Sequence, residues 1–220
     1  MPTEERMLLH RNSFAERHRS AREAVLASPR GRLVEAIVVS VDVKGYAATT
    51  LADIVGRARV SRSTFYEHFA SKEECFLEAV RVAQGILARR IVDELSQLDE
   101  AGPEARIASV VTTFCEVAAA EPGFTRAVIV ESLRVDRASV VIRDYAVDVF
   151  VGLYREFYEQ ARATDPALPE RSDALIALIP DAIVERSRRV IIEEGPAALP
   201  AKAPLFIEFV HATMGLPRPV

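Results

Sequence analysis

The sequence predicts an all-α protein of about nine helices, and three observations carry that expectation. Apolar residues recur at helical spacing through most of the 220 residues, while alternating, turn-bounded runs of the strand type are lacking. Helix stops punctuate the chain at Gly102-Pro103, Pro122-Gly123, Asp165-Pro166 and Gly195-Pro196. Half of the residues are hydrophobic, enough to bury a substantial core in one large domain or two small ones.

Residues 1–29 read as an N-terminal extension. Arg6, Arg11, Arg17, Arg19 and Arg22 alternate with Met7, Leu8, Leu9, Phe14 and Val25, which suits a helix ending near Pro29, a solvated tail or one docked on the body. A basic arm of this kind also suits contact with a DNA backbone or minor groove. Residues 30–75 hold the densest pattern. Gly45 ends a first helix, and Thr50 with Asp53 three residues on forms a capping-box start for a second. Leu51, Ile54, Val55 and Ala58 then share a face. After a break at Arg59-Val60, Ser61 caps a third helix in which Phe65 and Phe69, four apart, enter one small core. Ser71 with Glu74 caps a long fourth helix running to about Leu98.

Residues 76–220 then continue as helices over about 103–120, 124–134, 137–163, 170–194 and 203–214. Two short capped helices whose exposed positions carry hydroxyl, Arg, Tyr and His side chains have the make-up of a helix-turn-helix DNA reader. Charge supports that reading. The formal net is −4, yet residues 30–72 hold seven basic against four acidic residues, and 73–220 hold sixteen against twenty-four. An acidic body behind a basic reader orients the molecule on DNA.

Residues 30–80 resemble the N-terminal DNA-binding domain of the TetR family of bacterial transcriptional regulators. The resemblance rests on Gly45, Thr49-Thr50, Asp53-Ile54, Val60-Ser61, Thr64-Phe65-Tyr66, His68-Phe69 and Ser71-Lys72-Glu73. One departure is Arg59 in the turn, where the family often has Gly; if that position needs positive φ, Arg bears a steric cost, and it also offers a phosphate contact. The resemblance implies that Arg62, Ser63 and Thr64 face bases, with Arg62 matched to guanine, and that Thr50, Tyr66, His68 and Lys72 hold phosphates. It also implies an effector pocket among the central helices. The candidates there are Phe114, Cys115, Phe124, Val128, Tyr145, Val149, Phe150, Leu153, Tyr154 and Phe157, with Glu131 or Arg134 as polar anchor. Any single aromatic in that set is more often core than pocket.

The last two helices are apolar on more than one side, and the resemblance implies that they pair with their copies across a two-fold axis. Ile176, Ile179, Ile183, Leu205, Phe206, Phe209 and Val210 are the expected interface, with burial inside one chain as the alternative. The expected protein is a homodimeric, cytoplasmic repressor, released from a palindromic operator in double-stranded DNA by a small apolar or amphipathic effector. The rival readings are a helical sensor or scaffold that does not bind DNA, kept open by Glu67 and Arg59, and an all-helical enzyme. The enzyme reading lacks a nucleophile with a base, a metal-ligand spacing or a phosphate-binding glycine loop. No cofactor or metal is expected, since Cys75 and Cys115 read as reduced core residues and His10, His18, His68 and His211 are scattered. No membrane span or secretory signal is expected either.

Overall fold

A computed structural model describes residues 27–98, 101–135 and 137–218, so the expectations for residues 1–26 lie outside the described residues. Nine α-helices and two 3-10 turns, with no strand, make up the described part. They are α1 (Pro29–Ala48), α2 (Leu51–Ala58), α3 (Arg62–His68), α4 (Lys72–Leu95) and α5 (Pro103–Ala120). There follow α6 (Pro122–Ile129), a 3-10 turn Glu131–Arg134, α7 (Arg137–Thr164), α8 (Asp173–Glu193), a second 3-10 turn Pro196–Lys202 and α9 (Ala203–Met214).

Most boundaries are set by local chemistry. Ser28 Oγ accepts from Gly31 N at 2.9 Å and starts α1, with Pro29 at its first position. The α1 assignment runs on to Ala48, but Gly45 adopts φ 78° and breaks the helix there. Thr50 and Asp53 form the reciprocal capping box of α2. Ser61, Ser71 and Ser172 cap α3, α4 and α8 through their hydroxyls. The expected helix over 124–134 differs from the observed one. It starts earlier, at Pro122, and breaks at Val130, where the Ser132 hydroxyl takes the Val128 carbonyl that a continuing helix would use.

Two apolar cores share α4 and α6. The first gathers Leu33, Ile37 and Val41 of α1, Ile54 and Ala58 of α2, Phe65 and Phe69 of the α3 region, Phe76 and Val80 of α4, and Ala127 of α6. The second gathers Ile107, Val111 and Cys115 of α5 with Phe157, Ile176, Ile179, Ile191, Leu199, Phe206 and Val210. Helix α6 touches α1 directly: a Cβ on Gly123 would come 3.0 Å from Val38, and Arg126 Nε lies 3.2 Å from Asp42 Oδ1. The reader and the body are therefore packed together through α6.

Candidate nucleic-acid interface and ligand cavity

Phe65 of α3 and Phe69, its C-cap residue, are buried with ring centroids 5.9 Å apart, and they fix the helix by its inner face. The outer face is left to water. Arg62, Ser63, Tyr66 and Glu67 are exposed there, while Thr64 and His68 are half-buried at the flanks. Ser61 Oγ lies 2.8 Å from Ser63 Oγ and 2.9 Å from Thr64 Oγ1, a hydroxyl cluster at the start of the helix. The Tyr66 ring stands edge-on to Phe65, at 5.5 Å, with more than half of its surface open. A protruding helix start with a guanidinium, hydroxyls and an anchored phenol can enter a major groove and donate to base edges and phosphates.

The turn before α3 has the geometry that the Arg59 departure put in question. Arg59 sits in the left-handed region, φ 54° and ψ 48°, the one non-glycine with positive φ among the described residues. Its N–H bonds back to the end of α2, so the turn accepts Arg in a conformation that normally selects Gly. Thr50 is exposed but engaged: its N–H donates to Asp53 Oδ2 at 2.7 Å, and Lys44 Nζ reaches the same oxygen at 2.5 Å. The ammonium of Lys44 and the bonds from Thr50 hold the Asp53 carboxyl well below the usual carboxylate range.

Lys72 is only half-exposed, and its first task is structural. Its Nζ donates to Tyr46 O at 3.0 Å and to Thr49 O at 2.9 Å, and it lies 4.1 Å from the Tyr46 ring centroid. The cation thereby satisfies carbonyls at the broken end of α1, and burial lowers its pKa. Glu131, expected as a polar anchor, has a structural partner: its Oε2 accepts from Tyr46 N at 3.0 Å. The kink at Gly45 takes that N–H out of the helical ladder, and a buried donor needs an acceptor.

The cavity lies between α4, α5, α6 and α7. Its inner part is lined by the expected Phe114, Phe124, Val128 and Phe150, and its outer part by Phe150 together with the expected Tyr145, Val149 and Leu153. Phe157 and Cys115 are instead fully buried core, and Tyr154 is 3% exposed and touches only a small adjoining void. Phe157 shares a face of α7 with Phe150 but lies two turns further along, where it packs in the second core with Ile107, Val111 and Cys115 of α5. Burial pushes both thiols, Cys75 and Cys115, up to about 12. The side chain of Arg134 lies outside the described ones. The sequence reading missed α4 altogether as a wall, where Gln84 and Leu87 line both parts; the amide-glycine pair in Val82–Ala88 was the available signal.

The residues of the expected pairing face divide between core and surface. Ile176, Ile179, Ile183, Phe206 and Val210 are buried within the chain's own second core. Leu205 and Phe209 remain exposed, together with Leu178 and Ile192 of α8. Helices apolar all round leave the inward face to be chosen by packing, and the second turn Pro196–Lys202 and α5 take that face.

An all-helical chain that presents a helix-turn-helix in front of a cavity-bearing helical body has the fold of a DNA-binding transcriptional regulator. Residues 33–79 match the family described as bacterial regulatory proteins, tetR family, and the chain carries the DNA-binding domain of that family. Among solved structures, a regulatory protein of the tetR family from Rhodococcus RHA1 superposes with a TM-score of 0.70 at 18% identity, over 86% of this chain and 98% of that one. The regulator FadR from Bacillus subtilis, solved in complex with stearoyl-CoA, gives 0.69 at 13% identity, over 81% and 96%. A tetR regulator from Streptomyces fradiae gives 0.55 at 21% identity, over 87% and 81%. No curated protein matches by sequence. Among the described residues no helix is long and apolar enough to cross a membrane.

Proposed function

We propose that the protein is a homodimeric repressor that leaves a palindromic operator when a small apolar or amphipathic effector enters the cavity of the body. The observation that carries the reading is the outer face of α3, where Arg62, Ser63 and Tyr66 stand in water on a helix pinned from behind by Phe65 and Phe69. In this reading Arg62, Ser63 and Thr64 address bases, while Thr50, Arg59, Tyr66, His68 and the remaining donor of Lys72 address phosphates. The exposed Leu178, Ile192, Leu205 and Phe209 supply the pairing face, and symmetry then sets two readers at half-sites roughly 34 to 36 Å apart.

In this reading release acts through α6. Phe124, Thr125, Val128 and Ile129 of α6 line the cavity, while Gly123, Arg126 and the adjoining Glu131 bear on α1. A ligand that prefers one placement of α6 shifts the readers by the difference in its affinity for the two placements.

Electrophoretic shift of genomic fragments tests the DNA half. The expected result is a sequence-selective shift that weakens steeply with salt and drops at least tenfold in affinity for Arg62→Ala with Tyr66→Ala. A shift indifferent to that pair of changes overturns the assignment of α3. Glu67, exposed beside Tyr66, and Arg59 in the turn favour a sensor that does not bind DNA, and the absence of any selective shift would favour that second reading.

A further inference from the structure

The turn that joins α1 to α2 is held from two sides. Gly45, at φ 78°, breaks α1 and takes the N–H of Tyr46 out of the helical ladder. Glu131 Oε2 accepts that N–H at 3.0 Å and lies 3.6 Å from where a Cβ on Gly45 would sit, so the carboxylate covers the kink itself. The next groups turn toward α4. Tyr46 O and Thr49 O accept from Lys72 Nζ at 3.0 and 2.9 Å, and the Tyr46 ring lies 4.1 Å from the same ammonium and 5.0 Å from the Phe76 ring. Within the turn the Thr49 hydroxyl donates to Gly45 O at 2.8 Å, and Thr50, the cap of α2, follows directly.

The body supplies the acceptor. Val128 and Ile129 of α6 line the cavity, the Ser132 hydroxyl on the Val128 carbonyl stops the helix, and Glu131 opens the 3-10 turn beside the end of α1. At 9% exposure its side chain has left most of its water, and an acceptor so buried is held in place by its donors. The contact between Arg126 and Asp42 is of another kind. It joins two side chains more than a third exposed, and a surface ion pair of that sort fixes a position weakly.

A lysine ammonium carries three N–H donors. With two of them directed at Tyr46 O and Thr49 O, the direction of the third follows from where those carbonyls stand. Fixing the N–H of Tyr46 anchors the residue whose carbonyl and ring both meet Lys72. We propose that Glu131, a residue of the body, is a positioning residue for DNA binding: it holds the kinked Tyr46 so that Lys72 presents its third donor to a phosphate. The proposal deepens the DNA-binding reading and rests on it for the role of Lys72 toward phosphate, while the hold on Tyr46 and Lys72 is measured without DNA.

The chain contains three lysines and five tyrosines, so the full protein made with isotope-labelled lysine and tyrosine gives few magnetic-resonance signals. Tyr46→Phe and Lys72→Arg assign the two that matter. In the unsubstituted chain the Tyr46 amide is expected to exchange with solvent at least a hundredfold more slowly than in the unfolded chain, and the Lys72 ammonium to be visible because its bonds slow proton exchange. Glu131→Leu, similar in size but without an acceptor, is expected to speed Tyr46 exchange at least tenfold and to broaden the Lys72 signal away, with the amides of the buried Tyr154 and Tyr158 unchanged. Glu131→Gln keeps an oxygen for the N–H and is expected to hold Tyr46 exchange within threefold, with the ammonium still visible. A fast Tyr46 amide in the unsubstituted chain overturns the proposal even if the Leu variant fails to fold, and so does a Leu variant in which neither signal moves.

With DNA the readout is the slope of log affinity against log salt, on a genomic fragment that the unsubstituted chain selects. Glu131→Leu and Lys72→Gln are each expected to reduce that slope by about 2 for a dimer, one phosphate per protomer, and the double variant to reduce it no further. An unchanged slope, or losses that add in the double variant, overturns the positioning role. Tighter DNA binding by Glu131→Leu and Glu131→Gln alike, the behaviour of a carboxylate that only repels phosphate, overturns it too. An unsubstituted chain that selects no fragment while both protected signals stand removes the DNA reading and leaves the positioning of Lys72 standing.

Discussion

The two cores of this chain are filled to different degrees. Around Phe65, Phe69 and Phe76 the reader closes on itself, each ring at 2% exposure or less. Around Phe114 and Phe150 the body stops short of closure and keeps a cavity. A helix that must present side chains to a groove at fixed angles gains from a full core, because close packing admits few alternative placements. A wall that must respond to a ligand gains from missing contacts, because the ligand restores the dispersion that the void lacks.

That contrast is broken most severely through the rings. Phe65→Ala is expected to destabilise the reader by about 3–5 kcal/mol, read by urea unfolding, whereas Phe150→Ala is expected to lose less than half of that. Equal losses would mean that the cavity is not a void in solution. Neighbouring residues of α9 give the next test. Phe206→Ala is expected to lower stability by about 3–5 kcal/mol, since its ring is buried within the chain, while Phe209→Asp is expected to leave thermal stability nearly unchanged and to shift sedimentation equilibrium toward the monomer. A Phe209→Asp protein that stays dimeric would place the pairing face elsewhere.

Smaller effects sharpen the same comparison. Arg59→Gly relieves a left-handed residue and is expected to raise stability by up to about 1 kcal/mol, with Arg59→Ala giving no gain. If Arg59 holds a phosphate, the Gly variant also binds DNA more weakly, which separates stability from contact. The thiols report on both cores at once. Each is raised from 9.0 to about 12 by burial, so the folded chain stays protonated where the unfolded chain ionises. Their contribution is therefore complete below pH 9 and is lost as pH rises from there toward 12. Labelling by a thiol reagent at neutral pH is expected only on unfolding, for Cys75 and Cys115 alike; fast labelling of Cys115 alone would show that the body opens first.

Much of the architecture was legible because it is set by short-range chemistry. Thr50, Ser61 and Ser71 satisfy the first N–H groups of helices within three residues, and Pro103 and Pro122 start helices by fixing φ. The α3 surface was legible too, since Phe65 and Phe69 set the inner face of a short helix and thereby the outer one. Glu131 was not, because its partner is Tyr46, 85 residues away, and no local pattern reveals a backbone N–H freed by a kink.

By itself, then, the sequence determined the number of helices among the described residues, most of their limits, the caps of α2, α3 and α4, the exposed side of α3, and the basic reader before an acidic body. Only the tertiary structure decided which apolar side of α8 and α9 turns inward, that Phe157 fills the core while Phe150 lines a cavity, and that α6 stands between that cavity and α1. Caps and periodicity act within one helical turn, whereas choosing among several apolar faces depends on which of them meets a complementary surface from a distant part of the chain.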